Sequence, residues 1–435
     1  MPKLKRAAAA LLLSALLAPS VAARDLPVSA IGDDSALRAE LAETLFVAPP
    51  AEALAFKRRV RTLPDGSRVE VRVEKGNGEF ITVLAREAGG AFSVETQGSW
   101  ALYRRTADGA PTRIRVFLRS DPHCYAQVRL SESGRAILDA VAYGGYLARG
   151  IPLSIPFGRV VSEPLGRLLS ATAPLFPVRY FQPDPADYAD LAALGAAIRA
   201  NLGGLTYVDD GAFDENGRSV FIATGAPLPV PGGVNCSGFA KWVADGLLRA
   251  IGKPSLSIAP LKAPPEPRGA PSIEPYESIL DPYFGLDWTR NLAVALGSAY
   301  RGGGPKPVSE YEVRRSPIAA LRIPGGDGSL SRTFPDFLPD AGFQMEGLKP
   351  ILYALAIDEP GRMYFGSINR DMREPPYARR HFHIALFLPR FDEGGRFVVD
   401  VFESGTESGI DAFVARYPGH SISLVRVAAE AAFLP

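Results

Sequence analysis

The chain has 435 residues, with 48 Lys and Arg against 47 Asp and Glu. That balance excludes the basic footprint of a nucleic-acid-binding protein and any general pull towards anionic lipid. Apolar residues make up 47% of it, which excludes wholesale disorder and leaves room for two or three globular domains.

The first 23 residues read as a cleavable signal peptide. Lys3, Lys5 and Arg6 form a positive start, Ala7 to Leu17 a short apolar run, and Val21-Ala22-Ala23 a small-residue cleavage site. The run falls short of the ~20 residues a membrane span needs. No later stretch is long and apolar enough to span a bilayer, so a periplasmic or secreted mature chain is expected. The cysteines are Cys124 and Cys236. In an oxidising compartment the simplest expectation for such a pair is a disulfide, which would disarm either thiol.

Residues 24–160 read as a β-rich accessory domain. Arg68 to Val73 alternates polar and apolar, and Phe80 to Leu84, Ala91 to Thr96, Thr112 to Leu118 and Tyr125 to Leu130 follow. Period-two alternation broken by Asp-Gly, Gly-Asn-Gly and Gly-Gly turns predicts an antiparallel, half-exposed sheet. Residues 161–204 form a helical connector interrupted by prolines. Residues 205–435 then carry a helix near 236–251, a Pro-rich insertion at 253–275 and a helix near 287–299. A Gly/Pro-rich insertion at 302–345 precedes a strand-rich end from about 350. Insertions of that length are expected to wrap the surface or shape a cleft. The fold class expected is α+β, a helix packed on an antiparallel sheet.

The segment richest in chemical information starts at Asn235-Cys236-Ser237-Gly238-Phe239-Ala240. Phe239, Val243, Leu247 and Ile251 recur every four residues, so one face packs on a core, and Gly252 and Pro254 stop the helix. Asn235 is a good N-cap, which puts Cys236 in the first turn. Unpaired N–H groups and the positive end of the helix dipole stabilise a thiolate there, and the same groups can hold an oxyanion.

This segment resembles the Asp-Cys-Ser-Gly-hydrophobic motif of the NlpC-type cell-wall cysteine peptidases, a papain-like family, with Asn235 where the family has Asp. The resemblance covers residues 190 to 430, with large insertions between motifs. It implies a papain-like fold, a base on a later strand, and a polar residue to orient it. His383-Ile384-Ala385-Leu386-Phe387-Leu388 fits the family's base strand at every position. Upstream, Pro360-Gly361-Arg362 stands where the family has Pro-Gly-Asp. Downstream, folding the chain about the Asp392–Arg396 turn brings residues 403 and 404 opposite 383, so Glu403 is the leading orienter. A carboxylate there would favour an imidazolium and hence a Cys⁻/His⁺ pair. Tyr207 stands where the family has a substrate-contacting Tyr. Ser408-Gly409-Ile410-Asp411 looks like a capping box opening a final helix.

The function expected is therefore an exported cysteine peptidase, acting through Cys236, His383 and Glu403 on an amide bond in peptidoglycan stem peptides. It needs no cofactor or metal, and its partner is the peptide substrate, not nucleic acid. A transglutaminase-like protease would instead use His381 and Asp400 with the same cysteine. His381 and His383 on one side of a strand could also be metal ligands, although no third ligand has convincing spacing. A non-catalytic wall-binding scaffold is the expectation from a different class. No Gly-x-Ser-x-Gly elbow or phosphate loop is present.

Overall fold

The strands of the N-terminal half bury side chains on both faces, so the sheet is covered more fully than the half-exposed one that alternation predicts. In β2 (Arg68–Lys75) Val69 and Val71 are buried, and the buried Glu70 between them is held by Arg72 at 2.8 Å and by Arg58. The computed structural model describes residues 25–267, 281–302, 304–318, 320–324, 330–333, 337–374 and 378–435. The expected signal peptide and the end of the 253–275 insertion lie outside the described residues. β1 (Arg59–Thr62), β2, β3 (Glu79–Ala88), β5 (Trp100–Arg105), β6 (Pro111–Phe117), β7 (Cys124–Leu130), β8 (Ala136–Ala142) and β9 (Gly145–Pro152) follow one another across an antiparallel sheet. The expected strand at 91–96 shrinks to the two-residue β4 (Ala91–Phe92), paired on β3 alone. β8 escaped the alternation test because nearly all of it is buried.

Helix Ala189–Asn201 leads into two small pairs. β10 (Thr206–Tyr207) runs parallel to β13 (Gly233–Val234), and β11 (Gly211–Phe213) pairs with β12 (Ser219–Phe221). The 302–345 insertion is not only a surface wrap. Its β14 (Ala320–Pro324) pairs with β9 and with β15 (Leu330–Thr333), so both extend the N-terminal sheet.

The C-terminal sheet is antiparallel, in the order β16 (Phe343–Gln344), β21 (Ser421–Ala428), β17 (Arg362–Asp371), β18 (Arg379–Phe391), β19 (Phe397–Glu403), β20 (Thr406–Gly409). Helices Cys236–Ala250 and Phe284–Arg301 pack against each other and on β18, tied by Trp288 Nε1–H donating 2.9 Å to the Ser237 carbonyl. The strand-rich end expected from about 350 begins instead with helix Leu348–Asp358. Leu348, Ile351, Leu352, Tyr353, Ala354 and Leu355 are all buried, so the helix is apolar all round and shows no stripe to read. The capping box also fails. Helix Ile410–Arg416 starts after Gly409 with no side-chain cap, and the Ser408 hydroxyl turns towards Glu403.

The chain is thus α+β, with helices packed on antiparallel sheets. The two sheets share one continuous apolar core, joined where Tyr143, Tyr353, Phe391 and Phe397 meet ring to ring. Among the described residues no helix is long and apolar enough to cross a membrane.

Candidate active site

Cys236 is the first residue of its helix, and the Asn235 side chain accepts the Gly238 N–H at 2.9 Å. Gly238 is required by close approach. A β-carbon there would come within 2.0 Å of the Gly211 carbonyl oxygen, because the helix start is pressed onto β11. The Asn235 N–H donates to that same carbonyl at 2.9 Å, so the turn before the cysteine is pinned from two directions. The helix is buried more completely than its stripe suggests. On the face expected to be polar, Lys241 and Asp245 form a buried ion pair at 2.6 Å, with Asp245 also accepting the Leu256 N–H at 2.8 Å.

β18 outruns its neighbour β19, whose pairing with it begins at Leu386. The strand edge at 384 is therefore open, and the Ile384 N–H is directed at the Cys236 sulfur. A bulge lies one step further out. Ile368 pairs with His383 and Asn369 with His381, leaving Phe382 as the extra residue. Consecutive residues on β17 face opposite sides, so the two imidazoles are separated onto opposite faces of the sheet. His383 faces Cys236 and Glu403. Its Nε2–H donates 2.7 Å to Glu403 Oε2, which leaves Nδ1 for the sulfur.

Glu403 is the last residue of β19. The five-residue turn 392–396 sets Phe402 opposite Leu386, so Glu403 reaches His383 diagonally and not squarely across, as the simple fold-over anticipated. Arg416, from the final helix, donates to the other carboxylate oxygen, Oε1. The chain then reverses through Ser404 and Gly405, at φ 51° and 82°.

The electrostatics follow from these contacts. Burial opposes ionisation of Cys236, but the hydrogen bond and charge of His383, the Ile384 N–H and the Ser237 hydroxyl at 3.9 Å outweigh it and hold the thiol below its ordinary value. Burial likewise works against a charged His383, yet Cys236 and Glu403 raise it to about 9. Burial would raise Glu403, and His383 and Arg416 bring it below the usual range. A sulfur held as thiolate beside an imidazolium is a nucleophile with its proton donor already in place.

The rival pair is not assembled. His381 donates from Nε2 to the Asp340 carbonyl at 2.9 Å and accepts the Ser367 hydroxyl at Nδ1, also at 2.9 Å. Burial above all lowers its pKa to about 3, so it is a neutral strut with no nitrogen to spare. Asp400 is bound by Arg390 at 3.0 Å, opposite Leu388. With the imidazoles on opposite faces, the two-histidine metal reading fails too. The disulfide is also absent: both thiols are free, and Cys124 is fully buried at the start of β7. Arg362, which stands where the resembled family has Asp, opens β17 at the end remote from Ile368 and so away from His383.

A cleft of about 450 Å³ opens over the sulfur. Tyr207, exposed at the end of β10, lines it together with Asp209, Asp210, Lys262, Phe284 and Phe382. Sequence reasoning missed Arg416, Ser237 and the Ile384 N–H. The last of these is backbone and has no residue signature, and Arg416 is brought in only by the path of the final helix.

Residues 27–193 match the model of a family described as a domain of unknown function, DUF8515. The match takes in the sheet β1–β9 and ends before Cys236. No curated protein and no solved structure matches the chain.

Proposed function

We propose that the protein is an exported cysteine hydrolase of papain-like arrangement, similar to the NlpC-type peptidases, that cleaves an amide bond in peptidoglycan stem peptides. The observation that carries the reading is the single imidazole of His383 set between the Cys236 sulfur and the Glu403 carboxylate. The Cys236 thiolate attacks the amide carbonyl carbon. The Asn235 side chain occupies the Gly238 N–H, and the Cys236 and Ser237 N–H groups, which precede it in the first turn and have no partner within the helix, can take the developing oxyanion. His383 gives its proton to the departing amine, leaving an acyl thioester on Cys236. The neutral imidazole then takes a proton from water, hydroxide adds to the thioester carbonyl, and the thiolate leaves as the imidazolium is restored. Glu403, fixed by Arg416, keeps the ring turned towards the sulfur throughout.

The expected outcome is release of peptides from purified wall fragments by the wild-type chain and none by Cys236→Ala, read by chromatography of the soluble products. Full release by the variant would end the proposal. Release by neither would leave a wall-binding scaffold.

A further inference from the structure

We propose that Arg370 and Arg380, with Phe382, form an anion-binding subsite continuous with the Cys236 cleft, which takes a carboxylate of the bound peptide. This deepens the peptidase reading and rests on it for the identity of the ligand.

Arg370 and Arg380 are directly opposite each other on β17 and β18, and both are exposed. Like charges in that position repel, and a sheet ordinarily avoids or neutralises them. Neither has a carboxylate partner among the described residues, whereas the other arginines of β18 do. Arg379 reaches Asp371 at 2.9 Å and Asn369 at 2.6 Å, and Arg390 reaches Asp400 at 3.0 Å. The uncompensated pair is therefore local and specific.

The bulge gives it an address. Counting along β17 from Ile368, which pairs with His383, Arg370 falls on the same face of the sheet. Arg370 lies 5.3 Å from the Phe382 ring, which orders the guanidinium against an aromatic face. Arg380 and Phe382 line both the Cys236 cleft and a larger hollow of about 1010 Å³, to which Arg370, Arg373 and His420 contribute. Glu374 also lines the hollow, and Asp371 is occupied by Arg379, so the lining is net positive. A peptide whose scissile bond lies over the sulfur would run past Phe382 and place its next carboxylate between two guanidiniums, whose planar forks suit it.

The test uses the full chain carrying Cys236→Ala, so that binding is read without turnover. The probe is a purified stem tetrapeptide, with its carboxylates free or converted to carboxamides. Calorimetric titration at low salt should give the free-carboxylate form a Kd tighter by about tenfold or more. Adding Arg370→Gln and Arg380→Gln should bring the two forms to within about threefold, as should high salt acting on the parent. A parent that binds both forms alike, or neither, overturns the subsite, and so does a preference that survives loss of both arginines. Cleavage of the same peptide by the wild-type chain is measured alongside. Arginine-dependent binding without cleavage overturns the peptidase reading and keeps the subsite. Cleavage whose kcat/KM ratio for the two forms is unmoved by the arginine changes does the reverse.

Discussion

One thiol lies in the N-terminal sheet and the other at a helix start against the C-terminal sheet, and they differ in almost everything except their element. Cys124 opens a strand inside the N-terminal sheet, where burial above all, and then Asp121, pushes its pKa well up. Cys236, partly buried, opens a helix at the open edge of β18, where an imidazolium and a backbone N–H more than offset the cost of its burial. Desolvation alone therefore does not decide whether a buried cysteine is inert. What decides it is whether fixed positive groups face the sulfur, and β7 offers none that outweighs its surroundings.

Changes on either side can break that contrast. The largest effect should come from His383→Ala, which removes the group that holds the thiolate and protonates the amine. Peptide release should fall by about 10²–10⁴-fold in kcat/KM, and a drop under tenfold would mean that another group supplies the proton. Alkylation comes next: near neutral pH iodoacetamide should modify Cys236 of the native chain within minutes and leave Cys124 untouched until denaturant is added, as read by mass spectrometry of peptides. Equal labelling of both would erase the distinction.

Glu403→Gln should act more gently, because it removes one charged hydrogen bond from the ring, a loss of about 10–100-fold. The sign of its pH effect is fixed. The Cys⁻/His⁺ pair persists above the lowered thiol pKa and is lost as pH rises through about 9, where His383 gives up its proton. Without the carboxylate the imidazolium is less favoured, so the alkaline limb of the kcat/KM profile should move to lower pH. A limb that stays in place would detach Glu403 from the titration. The smallest effect belongs to Cys124→Ala, which should cost about 1–2 kcal/mol of stability through a small cavity and leave kcat/KM unchanged. Loss of turnover in a folded Cys124→Ala protein would give the N-terminal thiol a part it is here denied.

Much of the candidate site is legible in the sequence, because each member sits in a strong local pattern. Asn235 before a small-residue helix start, the His383 strand and the tight turn at 392–396 all leave signatures within a few residues. What escaped was context. A one-residue bulge at Phe382 is invisible in an alternating string, yet it decides which of two neighbouring histidines meets the sulfur. Helix Leu348–Asp358 hid because it is buried on all sides, and the Ser408 cap hid because its hydroxyl had a better use beside Glu403. The attachment of β14 to β9 joins residues more than a hundred positions apart, and no window along the chain is wide enough to register it.

That last attachment governs how the polypeptide can be divided. A fragment ending at residue 204 would keep β1–β9 but lose β14, leaving the main-chain groups of Gly145 and Tyr146 without the neighbours that cover them. Bare strand margins of that kind recruit other chains. The Gly145–Tyr146 end of the first sheet is thus completed by residues made long after it.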